Sequence, residues 1–400
     1  MDKRFCDKFA VVGWSMLTGE WPGTTARSLQ VEAARLAIAD AGLKREQIDG
    51  AIDILLNTGS AESPHHSDAF PRVLGLPVKF YFGTGRGGAM ASMGIMAATK
   101  FLELGMARYI VLANAVKDLS HSRKTKEKMR GHRGLGTRPA KEGYWGKPFG
   151  DLRAASHHSL FASRHMHLYG TQSRHLGAIA VAQRQWAQMN PRAQMYGRPM
   201  TIEDHQNSPY FVYPYHLLDF CQVSDGAVAM VVTMADRAKD CARQPIYVKG
   251  IGFGEAMEKL WWEKENYTRL AVAPAKQAAF EQAGIELKDL DLAQLYDCFT
   301  GEVLLQLEDY GWCQKGEGGP YAAEGHTAPG GDIPINTGGG LLSAYHYGDL
   351  TGFSEAIIQL RGKAGERQVK DAKLCMVTGH GGEILSPGMC SIHSTLILGT

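Results

Sequence analysis

The chain has 400 residues, 44% hydrophobic and 21% charged, with a formal net charge of +2. That length exceeds one simple core and predicts two domains or one large duplicated one. The balanced charge excludes a strong field for nucleic acid or a membrane surface, and no run reaches the ~18 apolar residues that span a bilayer.

The N-terminus carries Asp2, Lys3 and Arg4 but no apolar run of signal-peptide length. An Ala-rich amphipathic helix follows over Glu32–Asp40, closed by Gly42, and leads through a short acidic turn into a strand at 51–56. Next, Thr84-Gly-Arg-Gly-Gly-Ala-Met90 opens a small-residue helix over about 88–105. It is apolar nearly all round, which predicts burial between layers. A strand at 109–114 follows it.

Residues 116–215 read as a polar insertion holding one helix, Ser173–Asn190, and shaping a lid or an oligomer contact. Its basic run, Arg123–Arg133, reads as a solvated loop rather than a phosphate patch. Trp145 and Tyr210–Tyr215 are candidate pocket walls, with ordinary core packing the favoured reading.

Beyond Gln244 the pattern recurs. Pro274–Gln294 repeats Glu32–Ile52, with Ala283-Gly-Ile285 matching Ala41-Gly-Leu43 and Leu290-Asp291 matching Ile48-Asp49. Thr337-Gly-Gly-Gly340 then leads to a helix near 351–361 and a strand at 373–378. Strand, glycine turn, buried helix, strand is an α/β pattern, here present twice, with halves at 1–243 and 244–400.

Seven scattered cysteines without a CxxC pair suit a reducing cytoplasm and give no zinc framework. His157-His158 and His165/His167 are not spaced to share a helix face, so no metal is expected. The richest stretch is Ile335-Asn-Thr-Gly-Gly-Gly-Leu-Leu-Ser-Ala-Tyr-His-Tyr-Gly-Asp349. Three glycines let the backbone turn sharply and approach another group, and proton-transfer side chains follow at once.

These motifs together resemble the thiolase superfamily over nearly the full chain, in particular its sterol-carrier/lipid-transfer type. The resemblance rests on Ser224-Asp-Gly-Ala227, Tyr296-Asp-Cys-Phe-Thr300, Asn336-Thr-Gly-Gly-Gly-Leu-Leu-Ser343 and Gly379-His-Gly-Gly-Glu383. It implies a duplicated fold layered αβαβα and a homodimer paired through the first-half sheet. It also implies an acyl-CoA pocket, with no cofactor beyond the coenzyme A thioester. Thiolases place a nucleophilic cysteine at the head of the buried first-half helix, and here that position falls on Gly87. His346 falls on the family's catalytic histidine, flanked by Tyr345 and Tyr347.

Without a nucleophile, such a pocket can still stabilise an enolate. The chain thereby resembles the steroid side-chain-cleaving acyl-CoA aldolases, which implies retro-aldol cleavage of a bulky β-hydroxyacyl-CoA and a small, separate zinc-ribbon/OB-fold partner. Expected catalytic groups are Tyr296, Tyr345 and His346, with Tyr345 facing Tyr296 and favoured over Tyr347. His380, Gly381 and Gly382 would hold the thioester oxygen, Gly87, Asn336 and Gly339 would bind substrate, and Asp297 would be a structural anchor. Two other readings share the fold: a C-acyltransferase subunit that borrows a nucleophile, and a non-catalytic acyl-CoA-binding partner.

Overall fold

The computed structural model describes residues 5–54, 69–85, 87–120, 154–255, 268–381 and 392–400. Nine strands form one mixed sheet: β1 (Phe9–Thr18), β2 (Gly50–Ile54), β3 (Phe80–Thr84), β4 (Tyr109–Lys117), β5 (Asp225–Met234), β6 (Ile246–Glu255), β7 (Leu292–Gln294), β8 (Leu374–Gly381) and β9 (Ile392–Gly399). Their order is β3-β2-β4-β5-β1-β6-β9-β8-β7. Only two residue pairs, Ala10–Tyr247 and Val11–Ile246, join β1 to β6. The sheet is therefore two half-sheets meeting at a narrow seam.

The halves repeat each other. In the first, β2–β4 is parallel and β4–β5 and β5–β1 are antiparallel. In the second, β7–β8 is parallel and β8–β9 and β9–β6 are antiparallel. Ile335 bridges Ala293 in parallel, in the place that β3 holds beside β2.

Side-chain alternation along the strands creates the layers. Ile52, Ile110, Leu112, Met230 and Val377 point into a central core with helices α2 (Met90–Glu103) and α7 (Asp349–Leu360). Their neighbours Ala51, Val111 and Val231 face outward onto α1 (Ala26–Asp40). In the second half, Met376 and Ile397 face outward with α5 (Val272–Ala283) and α6 (Thr300–Tyr310). The sequence of layers is helix, sheet, helix, sheet, helix. The small residues Ala91, Ser92, Gly94 and Ala98 suit α2 to its place between the two half-sheets.

The insertion contributes α3 (Ala154–Tyr169) and α4 (Ser173–Gln188). Only the second was expected; α3 mixes histidines with apolar residues and has a weak stripe. Tyr210–Tyr215 forms a short hairpin: Tyr215 is fully buried in the second-half core, as the favoured reading has it, and Tyr210, Phe211 and Tyr213 are exposed. Residues 123–133 and Trp145 lie outside the described residues. No helix among the described residues is long and apolar enough to cross a membrane.

One packing device, present once in the first half at Gly13 against Ala37, occurs three times in the second. Gly250, Gly252 and Gly254 share a face of β6, and a Cβ on them would lie 2.1, 2.0 and 2.0 Å from the carbonyls of Ala279, Ala275 and Ala271. The backbone of α5 thus lies directly on the strand. Gly252→Ala is expected to destabilise the protein by about 3 kcal/mol, the scale of overpacking a rigid contact. A urea midpoint within error of wild type would contradict this contact.

Candidate active site

The head of α2 is built from backbone. Gly87 has φ +53°, a conformation in which a Cβ is costly. A Cβ on Gly88 would lie 2.2 Å from Cε2 and Cζ of Tyr296 and 2.4 Å from the His380 carbonyl. From the facing strand, a Cβ on Gly381 would lie 2.8 Å from the Gly88 nitrogen, and one on Gly379 would lie 2.6 Å from Ala89 Cα. Two glycine segments and one tyrosine ring therefore fill the space at the helix head, and neither Gly87 nor Gly88 offers a nucleophile.

The helix terminus is also occupied electrostatically. Asp349, the first residue of α7, accepts from the Ala91 and Ser92 amides at 2.8 and 3.0 Å and from Ser92 Oγ at 3.1 Å. A helix N-terminus favours a nearby anion. In this chain that anion is a built-in carboxylate, not a thiolate.

Asp297 does the same for the glycine box. Its carboxylate accepts from the Leu341 and Leu342 amides at 2.8 and 3.1 Å, which fixes the single π-helical turn Gly340–Ala344. Asn336, Gly339 and Gly340 have φ of +54°, +99° and +59°. A Cβ on Gly340 would meet Asp297 Oδ2 at 2.1 Å, and one on Gly339 would meet Ala187 of α4 at 2.7 Å. The closest neighbours of the glycines are thus protein groups that brace the loop. Asp297 anchors the box, as expected of it.

After the turn the chain is extended at Tyr345, with φ −162° and ψ 159°. Tyr345 and Tyr347 consequently share one face, and their rings stack at 5.2 Å and 20°. They are not divided between pocket and core as the sequence suggested. The Tyr347 hydroxyl donates to the Asp225 carbonyl at 2.9 Å. Tyr345 is buried in the central core, hydrogen-bonded with the Asn190 side chain, and burial pushes its phenol up. Tyr296 belongs to the outer second-half core instead. The two expected catalytic tyrosines thus belong to different layers, Tyr345 to the central core and Tyr296 to the outer second-half core.

His346 lies on the opposite face from the tyrosines. Its amide donates to Ser224 Oγ at 2.9 Å and its Nδ1 is 3.9 Å from Cys221 Sγ. Its Nε2 is shielded from solvent and has no hydrogen-bond partner. Burial pushes the imidazole down to about 4, so it is neutral at pH 7.

Tyr296 is held by its backbone: its amide donates to Thr378 Oγ1 at 2.8 Å and its carbonyl accepts from Gln306 Nε2 at 2.7 Å. Its ring centroid is 6.3 Å from that of His380, which is buried at the end of β8. Gly382 lies outside the described residues. Glu302 and His158 complete this buried group and were missed in the sequence. They come from α6 and α3, and no spacing connects them. Among the described residues, His158, Glu302 and His380 form the one group whose ligating atoms come within 4.8 Å of one another.

Comparison with known proteins decides the family. Over 344 residues the chain is 34% identical to a steroid side-chain-cleaving aldolase of Thermomonospora curvata, spanning 85% of this chain and 86% of that protein. The chain belongs to the thiolase superfamily. The profile described as Thiolase C-terminal domain-like matches residues 254–400. A 17-hydroxy-3-oxo-4-pregnene-20-carboxyl-CoA lyase of Mycobacterium tuberculosis is also 34% identical, over 85% of this chain and 88% of its own length. Among solved structures, an Ltp2-ChsH2(DUF35) aldolase superposes with a TM-score of 0.83 at 32% identity, covering 99% of this chain and 98% of that one.

The two buried carboxylates make a prediction. Burial outweighs the amide donors and pushes Asp297 and Asp349 each up to about 7. An acid whose folded pKa lies above its unfolded value binds its proton more tightly when folded. Its contribution to stability is full below about pH 4 and is lost as pH rises through 7. Asp349→Asn should flatten this decline, by about 2–4 kcal/mol between pH 4 and 8, since one pKa unit is about 1.4 kcal/mol. Urea midpoints across that range test it; an unchanged slope would contradict the assignment.

Proposed function

We propose that the chain catalyses retro-aldol cleavage of a bulky β-hydroxyacyl-CoA, a steroid side-chain thioester, to a ketone and a short acyl-CoA without a covalent acyl-enzyme. It is a carbon–carbon lyase of the thiolase superfamily, and the names of its two 34% identical relatives support steroid acyl-CoA as the substrate class. The observation that carries the mechanism is the glycine pair at the helix head: Gly87, where the thiolase cysteine would stand, has no side chain and φ +53°, and the Tyr296 ring lies against its neighbour Gly88.

Three events are needed. A base takes the β-hydroxyl proton, donors hold the thioester oxygen as the enolate develops, and an acid protonates the α-carbon. Tyr296 and Tyr345 are the acid–base pair, with the reacting carbons between them. Tyr345, its phenol raised by burial, keeps its proton at neutral pH and suits the acid step. Tyr296 is then the base for the hydroxyl proton, and His346, neutral at pH 7 with an unpartnered Nε2, is the further catalytic group of this reading. His380 and the amides of Gly381 and Gly382 hold the thioester oxygen. Gly87 would bind substrate through its backbone, and Asn336 and Gly339 would do so through the glycine box. No metal or cofactor beyond the coenzyme A thioester takes part in this reading.

The assembly belongs to the same proposal. A homodimer would form along β3, an edge strand with Phe82 exposed and with exposed Leu104 and Met106 just beyond the end of α2. A small separate zinc-ribbon/OB-fold partner is supported by the two-component name of the aldolase structure. A cytoplasmic location rests on the six described cysteines being thiols, the form a reducing compartment maintains.

Tyr296→Phe should lower kcat for cleavage of a steroid β-hydroxyacyl-CoA by about 10²–10⁴, the usual weight of a general acid or base, with a smaller change in KM. Full activity of this variant would overturn the assignment.

A further inference from the structure

Behind the Tyr296 ring lies a buried group that the chemistry above uses only in part. Glu302, on the first turn of α6, is fully buried. It meets two imidazoles with its two different oxygens. Oε1 is hydrogen-bonded with His158 Nδ1, and Oε2 lies 3.3 Å from His380 Nε2. The His158 and His380 rings are 5.6 Å apart, and Phe299 lies 4.6 Å from the His158 ring.

A carboxylate oxygen and a deprotonated imidazole nitrogen are both acceptors. At these separations in a dry interior they repel unless a proton lies between them. With Glu302 ionised, the proton in each gap belongs to the imidazole nitrogen nearest the carboxylate. For His380 this has a chemical consequence. With Nε2 protonated, Nδ1 is an acceptor while the ring is neutral and becomes a donor only in the imidazolium.

We propose that Glu302 is a positioning residue for the lyase reaction: it fixes His380 with its proton on Nε2 and stabilises the imidazolium whose Nδ1–H donates to the developing enolate oxygen. This rests on the lyase reading for its catalytic half only. The proton is shared with the oxygen and not transferred, so no bond at His380 is made or broken. Among the described residues, other titratable groups near the ring are His158, Tyr296 and His393, with its ring 6.0 Å away. Tyr310 stands behind His393, its hydroxyl 3.0 Å from Nε2. Burial, then the charge of His380, holds His393 well below the ordinary imidazole range, so His393 stays neutral and leaves the positive charge to His380.

The ligating atoms of the same three residues lie within 4.8 Å of one another, so zinc is the competing occupant that the test must distinguish.

The test is ring-nitrogen NMR on the full chain labelled with ¹⁵N-histidine, with His380 assigned by loss of its signals in His380→Gln. The expected result without substrate is an Nε2-protonated His380 between about pH 6 and 8. Glu302→Gln should mix the tautomers and move the ring's titration to lower pH. It should also reduce kcat by about 10²–10³ with KM little changed, the weight of one oxyanion donor. A neutral, Nδ1-protonated His380 in the wild type would overturn the proposal, as would unchanged His380 signals in Glu302→Gln. Stoichiometric zinc binding that Glu302→Gln abolishes would overturn it too. If that variant does not fold, the wild-type spectrum decides. Because the tautomer is read without substrate, it stands apart from any failure of the steroid substrate class.

Discussion

Tyr296, Gly88 and Gly381 meet at the head of a helix that both half-sheets enclose, and the rest of the site depends on that close approach. A Cβ at position 88 would share space with the tyrosine ring, and position 87, where the thiolase cysteine would stand, is a glycine at φ +53°, so no acyl-accepting side chain stands at the helix head. The helix dipole is meanwhile spent on Asp349. Both features of an activated thiol, its place and its stabilising field, are used for something else. The chemistry left to the pocket is proton transfer and enolate stabilisation.

The duplication explains why two carboxylates sit where they do. Asp349 fixes the amides at the start of α2, and Asp297 fixes those of the π-helical turn in the glycine box. Each carboxylate comes from the other half of the chain or from across a loop, so each ties a local turn to the global packing. Both are buried acids with raised pKa values, and both weaken the fold as the medium becomes alkaline. Their retention in such expensive positions is consistent with a requirement for geometry over stability.

Much of the fold was legible in the sequence because duplication leaves a periodic trace. The matching Ala-Gly-Leu and Ala-Gly-Ile turns, and the two glycine turns before Met90 and Leu341, located the paired units. Small residues along α2 announced its burial. Side-chain direction was harder. Tyr345 and Tyr347 differ by two positions, and only the extended φ and ψ at Tyr345 put both rings on one face. Glu302 and His158 could not be read at all, because their meeting with His380 is made by tertiary packing of α6, α3 and β8. The exposed hairpin at Tyr210–Tyr213 was misread because aromatic content alone does not distinguish a wall from a surface.

The central claim is that carbon–carbon cleavage proceeds with no acyl group on the protein. Rapid-quench intact-mass spectrometry during turnover of a β-hydroxyacyl-CoA, with ketone and short acyl-CoA quantified in the same samples, tests it most directly. The account predicts equal amounts of the two products and an unmodified chain at every time point. An acyl adduct on the chain that forms and decays at the rate of turnover would contradict it.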